Sequence, residues 1–199
     1  GDRRVDHGQL IVQVNATLFR RFPSATDFVL SFEQRGNGSG TLHSVRTLDT
    51  SWAVDASRGP AVTHAYEGGT GPNWEAGTSL SYLPLPAESL PAGTAREIGV
   101  AGGMSSLGYL PFAQLEWPAQ PGSSEHGVGL SVSVGWAGNW ATSFAAGEGN
   151  ASAVVRVGVP GASAADYPNL ALQAGERIRY ARVLLVMWTS QQPGTASEA

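Results

Sequence analysis

The stretch Gly129-Leu130-Ser131-Val132-Ser133-Val134-Gly135-Trp136 puts Leu130, Val132, Val134 and Trp136 on one side of an extended chain, and Ser131, Ser133 and Gly135 on the other. Successive side chains of a β-strand point to opposite faces, so this alternation predicts a strand with one buried and one open face. The same period recurs on both sides of it. Leu10, Val12, Val14, Ala16 and Leu18 oppose Gln13, Asn15 and Thr17, and Phe28, Leu30 and Phe32 alternate with Ser31 and Glu33. Arg35-Gly36-Asn37-Gly38-Ser39-Gly40-Thr41 reads as a turn that reverses the chain, with Leu42 to Asp49 as the returning strand. Ala153 to Val159 and Ile178 to Trp188 complete the set. The last ends in a near-continuous apolar run, the pattern of a strand covered on both faces.

Between Val54 and Leu85 the pattern weakens, and Gly68-Gly69-Thr70-Gly71-Pro72-Asn73-Trp74 reads as an exposed loop. Pro84, Pro86 and Pro91 break the next segment into extended pieces. No ten-residue window holds a helical period. These features predict an all-β fold, a two-sheet antiparallel β-sandwich with little or no helix. Residues 1–190 read as one domain and 191–199, small and polar, as a flexible tail or linker.

Composition agrees. Charged residues make up 14% of the 199, below the roughly 25% of an ordinary domain, while 26 Gly and 12 Pro supply turns. Net charge is −4 and no basic stripe is present, which argues against a nucleic-acid partner. Arg177 and Arg179 fall on one face of the last strand and Arg182 on the other by simple alternation. The longest apolar run, Val183 to Trp188, is too short to span a membrane as a helix, so no membrane insertion is expected. The absence of cysteine removes disulfides, thiolate zinc sites and cysteine nucleophiles. Three sequons, at Asn15, Asn37 and Asn150, suit glycosylation in a eukaryotic secretory host.

The search for chemistry finds no catalytic residues. Sugar hydrolysis usually needs two carboxyl groups facing each other roughly 5–9.5 Å apart. Asp27, Glu33, Asp49, Glu116 and Glu176 lie in or beside predicted strands, nothing pairs any two, and they read as solvated strand-edge or turn acids. No Gly-x-Ser-x-Gly elbow is present. His7, His43, His64 and His126 lack metal-ligand spacing, so neither metal nor cofactor is expected. Aromatic residues remain. Trp136 and Trp140 bracket a Gly-containing turn between two strands, Tyr109 and Phe112 flank a Gly/Pro-bounded stretch, and Trp74 sits in the glycine-rich loop. Aromatic faces beside amides and hydroxyls suit sugar rings. The competing role is core packing. It is favoured for Trp136, in phase with Leu130, Val132 and Val134, while Trp140 fits either role.

Four segments together resemble a known family. They are Asn15-Ala16-Thr17-Leu18-Phe19-Arg20-Arg21-Phe22-Pro23-Ser24-Ala25 with Val29-Leu30-Ser31-Phe32; Ala101-Gly102-Gly103-Met104-Ser105-Ser106-Leu107-Gly108-Tyr109-Leu110-Pro111-Phe112-Ala113-Gln114-Leu115-Glu116; Val134 to Trp140; and Gly175 to Trp188. In order and spacing they resemble the amino-terminal supersandwich domain of family 36 glycoside hydrolases, the α-galactosidase group. The resemblance implies a supersandwich-type fold whose last strand leads into a (β/α)₈ barrel carrying both catalytic aspartates, so this chain alone would not be an enzyme. It also implies truncation at both ends, with strands upstream of Leu10 absent. Loops at one end of the sandwich would edge the sugar pocket, at positions Ser105, Ser106, Gly108, Trp136, Asn139 and Trp140. Asn139 stands where family members often carry Gln, a shorter amide for any sugar contact. The expected carbohydrate-binding set is therefore Trp136, Asn139, Trp140, Ser105, Ser106, Tyr109 and Trp74. The expected partners are carbohydrate, galactose-containing glycans among them, and a catalytic barrel or another chain of the same assembly. The expected location is extracellular, secretory or periplasmic. The alternative is a structural or protein-interaction module with no sugar role.

Overall fold

The computed structural model describes residues 2–7, 10–43, 45–55, 58–68, 85–100, 105–106, 108–119, 126–149, 152–159 and 170–190. Their elements are all strands: β1 (Asp2–His7), β2 (Leu10–Phe19), β3 (Phe22–Gln34), β4 (Gly40–Leu42), β5 (Arg46–Ala53), β6 (Ala61–Glu67), β7 (Glu88–Leu90), β8 (Ala95–Val100), β9 (Tyr109–Trp117), β10 (Gly127–Gly135), β11 (Trp140–Ala146), β12 (Ser152–Gly158), β13 (Leu170–Leu172) and β14 (Arg177–Ser190). An eight-stranded sheet has the order β1-β2-β3-β14-β10-β9-β6-β7, a four-stranded sheet the order β5-β12-β11-β8, and β13 pairs with β4 in a short ribbon. All pairings are antiparallel.

The alternation in β10 sorts the large sheet into two faces. Leu130, Val132 and Val134 sit opposite Met187, Leu185 and Val183 of β14, and Leu130 and Val132 also oppose Leu115 and Ala113 of β9. This inner face packs on Leu48, Ile98, Val100, Trp140, Phe144, Val155 and Val157 of the smaller sheet in one continuous core. Each fully buried Val, Leu, Ile or Phe contributes about 1.5–3 kcal/mol relative to exposure. The large-sheet half of this core is made of residues whose period predicted it, whereas Ile98, Val100, Trp140 and Phe144 come from β8 and β11, which the period did not mark.

Several expectations change. Residues 35–39 bend, with Gly36 at φ 89° and the Gln34 side chain donating to the Gly38 carbonyl at 3.2 Å. The chain beyond does not return beside β3, however. It forms β4, which pairs with β13, and then β5 in the opposite sheet. The segment between Trp136 and Trp140 does link two strands, β10 in one sheet and β11 in the other. Residues 2–7 form β1 against β2, so one strand does lie upstream of Leu10.

β14 is covered on its inner face, where Val183 is buried, whereas Leu184 and Val186 are only half-buried on the outer face and Met187 is 38% exposed. A register shift between Arg179 and Arg182 adds a residue to β14. Arg177, Arg179 and Arg182 therefore oppose Glu33, Ser31 and Val29 in one phase, and all three share the outer face, against the simple alternation. Strand β9 holds Pro111 inside it. The β10 ladder reaches only Phe112, and the β6 ladder is irregular between Ala65 and Glu67, so the missing N–H falls where neither neighbour requires it.

Candidate functional site

The loops singled out above gather at the end of the sandwich where β10 finishes and β11 begins. Trp140, the first residue of β11, is 0% exposed, and its indole N–H donates to the Ser105 carbonyl at 2.7 Å. The Gly68 N–H donates to the Gly108 carbonyl at 3.0 Å. A Cβ on Gly68 would stand 2.0 Å from the Ser106 carbonyl oxygen, so the end of β6 lies directly on this turn. Tyr109 follows at once as the first residue of β9 and packs on the core. Ser105, Ser106, Tyr109 and Trp140 thus form one packed unit.

Trp136 turns the other way. Its ring lies 6.0 Å from that of Tyr180, tilted by 37°. With Gly135, Ala137, Arg179 and Tyr180 it lines a shallow pocket of about 300 Å³. Tyr180 is anchored below: its hydroxyl donates to the Val45 carbonyl at 3.1 Å and accepts from the Val159 N–H at 3.2 Å. Asn139 is half-buried in the turn between the two tryptophans. Trp74 lies outside the described residues.

The structure separates the two tryptophans: Trp136, for which alternation favoured packing, is half-buried, and Trp140, which fitted either role, is fully buried. Trp136 keeps a half-exposed ring at a pocket, although it packs on the core from one side. Trp140 has both faces inside the core and offers no stacking surface to a sugar, a correction to its place in the expected set. The cause is the sheet switch. The turn carries the chain over the sandwich end, and the first residue of β11 lands between the layers.

Each acid named above has its own partner. Asp27 accepts from Arg182 at 2.6 Å, Glu33 from Arg35 at 2.7 Å, and Asp49 from Arg46 at 2.8 Å and Arg156 at 3.3 Å. Glu116 meets His64 at 2.9 Å, and Glu176 accepts the Gln173 N–H at 2.8 Å. Asp27 is not a solvated edge acid: it is 4% exposed on a central strand. By accepting the hydrogen bond, and by its charge, it raises the Arg182 guanidinium further above its ordinary value. Among the described residues no three His, Asp or Glu side chains gather where an ion could be held.

A larger pocket, about 870 Å³, opens at the opposite end of the sandwich, between Trp52, Val54, Arg58, Val128, Met187 and Trp188. The sequence reading did not find it, because its walls come from β5, β10 and β14, far apart in the chain.

The molecule is an all-β sandwich domain of two stacked antiparallel sheets. No protein-family model matches the sequence, and no curated protein matches it. Solved structures do. The galactosidase domain of the α-galactosidase–sucrose kinase AgaSK superposes with a TM-score of 0.69 at 16% identity, over 95% of this chain and 24% of that one. The family 36 α-galactosidase AgaA of Geobacillus stearothermophilus gives 0.66 at 18% identity, over 91% and 22%. The α-galactosidase of Lactobacillus brevis gives 0.65 at 14% identity, over 91% and 21%. The chain has the fold of one part of these enzymes and spans less than a quarter of their length.

Proposed function

We propose that this chain is a non-catalytic sandwich domain of an α-galactosidase-like glycoside hydrolase, supporting a catalytic barrel, binding carbohydrate, or both. The observation that carries the reading is the superposition of 91–95% of this chain on only 21–24% of α-galactosidase chains. The acids support it. A glycosidase needs two carboxyl groups converging on one bond. Asp27, Glu33, Asp49, Glu116 and Glu176 are instead each engaged with a different neighbour. In this reading the loop end, with Trp136 as its open ring, Asn139 in the adjoining turn, and Ser105, Ser106 and Tyr109 on the separate turn packed by Trp140, faces the barrel and contributes contacts to galactose-containing glycans. The same reading places the parent enzyme outside the cytoplasm, and a secretion signal in the encoded sequence is its check.

Purified chain should show no turnover of an aryl α-galactoside. Hydrolysis that a single Asp or Glu substitution abolishes would overturn the proposal. Trp136→Ala should remove loop-end sugar contacts while leaving the fold intact.

One observation favours the second reading, a protein-interaction module. The tip of the β2–β3 hairpin exposes Leu18 by 74% and Phe22 by 66% beside Arg20 and Arg21. Large apolar side chains together at a protruding tip suit a protein contact. Under this reading Leu18→Ser with Phe22→Ser abolishes a stable complex on size exclusion, and a glycan array stays blank.

A further inference from the structure

The outward face of the eight-stranded sheet carries a row of side chains that the loop-end reading does not use. On β10 this face is Gly129, Ser131, Ser133 and Gly135, small residues over which side chains of the neighbouring strand lie, Trp188 on Gly129 and Arg182 on Gly135. On one side stand Trp188, Val186 and Leu184 of β14, and on the other Glu116, Gln114 and Phe112 of β9, followed by Val62 and His64 of β6.

We propose that this face is a second saccharide-binding platform, with Trp188 as the stacking ring and Ser131, Gln114 and Tyr66 as the hydrogen-bonding row. It rests on the carbohydrate half of the proposed function but assigns binding to a different surface.

The platform is built in advance of any ligand. A Cβ on Gly129 would fall 2.2 Å from Cζ2 of Trp188, so the indole lies flat on the glycine with its other face turned from the strand. The indole N–H donates to the Ser131 hydroxyl at 3.0 Å, which fixes the ring in its plane. Gln114 Nε2 donates to the same hydroxyl at 3.1 Å, and the Tyr66 hydroxyl donates to Gln114 Oε1 at 3.2 Å. Tyr66 is steadied by stacking on Phe112, ring centroids 4.5 Å apart and 25° from parallel.

The directions of these bonds determine what is offered outward. Ser131 accepts twice, so its own proton is available to a third group. Tyr66 donates, so its oxygen can still accept, and Gln114 keeps a second amide N–H. A flat aromatic face beside alternating donors and acceptors matches a pyranose, which presents C–H groups on one face and hydroxyls at its rim. On this face Arg182 is paired with Asp27, His64 Nε2 lies 2.9 Å from Glu116 Oε2, and Arg177 donates to the Gln13 side chain at 3.3 Å. Across β6, β9, β10 and β14 the row spans about 14 Å at the usual strand spacing, enough for a short oligosaccharide.

The test is an NMR titration of the whole chain with methyl α-galactopyranoside and, separately, methyl α-glucopyranoside. Saturable shifts at the Trp188 indole N–H and at Gln114 and Ser131 are expected with at least one sugar. Trp188→Ala should weaken them about tenfold, the loss typical of one stacked ring. Gly129→Ala should also weaken them, because its methyl group displaces the indole and the N–H bond that holds it to Ser131. If Trp188→Ala does not fold, Ser131→Ala, which deletes one hydroxyl, carries the same test. Shifts confined to Trp136 and Asn139 overturn the platform and leave the loop end standing. Shifts confined to the sheet face uphold the platform and remove the loop end. No shift with either sugar overturns both, and concentration-dependent broadening of these resonances without sugar shifts overturns the platform in favour of a protein contact.

Discussion

Trp136 and Trp140 stand four residues apart, yet one lines an open pocket and the other is sealed in the core with its N–H on the Ser105 carbonyl. Truncating Trp140 leaves a large void and an unmatched carbonyl at once. Trp140→Ala should therefore cost about 3–5 kcal/mol in urea unfolding. A cost under about 1 kcal/mol would mean that the ring is not a core element. Thr142, two residues on, is 0% exposed, and its hydroxyl has no hydrogen-bond partner in the structure. Burying an unmatched hydroxyl costs free energy that a methyl group avoids. Thr142→Val should thus raise stability by about 1 kcal/mol, read as a higher urea midpoint at unchanged slope.

At the scale of elements, turns and irregularities place the side chains that the strands carry. The bulge in β14 brings Arg182 into phase with Arg177 and Arg179, and into contact with Asp27. The close approach of Gly68 to the 105–108 turn ties the end of β6 to the start of β9. Gly68→Ala must push the Ser106 carbonyl away, at a cost of about 1–3 kcal/mol. The amide of residue 68, which donates to the Gly108 carbonyl, should then lose hydrogen-exchange protection before the rest of the sheet. Strands β10 and β12 were legible in the sequence from their alternation, and β14 from its near-continuous apolar run. Strand β9 was not, because Pro111 interrupts it and its tolerance depends on where two neighbouring ladders stop. Strands β6 and β8 are short and sit in the Gly- and Pro-rich middle of the chain, where period two is weak evidence.

For the molecule as a whole, one pairing joins β3, near the start of the chain, to β14, near its end, with Thr26 opposite Leu185 and Phe32 opposite Ile178. Contacts this distant in sequence must close large loops before they contribute, so folding should be slow for the size. Refolding from urea should show its main phase in milliseconds to seconds. A dominant phase faster than about 100 microseconds would contradict the topology.

Period two is a local property, so the sequence alone determined that the chain is all-β and which side chains of β10 look inward. It also carried the resemblance to the family 36 sandwich, whose fold the structure shares. Strand adjacency is not local. Only the tertiary structure decided that β10 and β11 belong to different sheets, which buries Trp140 and leaves Trp136 at a pocket. It alone brought His64, Gln114, Ser131 and Trp188 into one row, because four separated strands had to pair in register before their outward residues could meet.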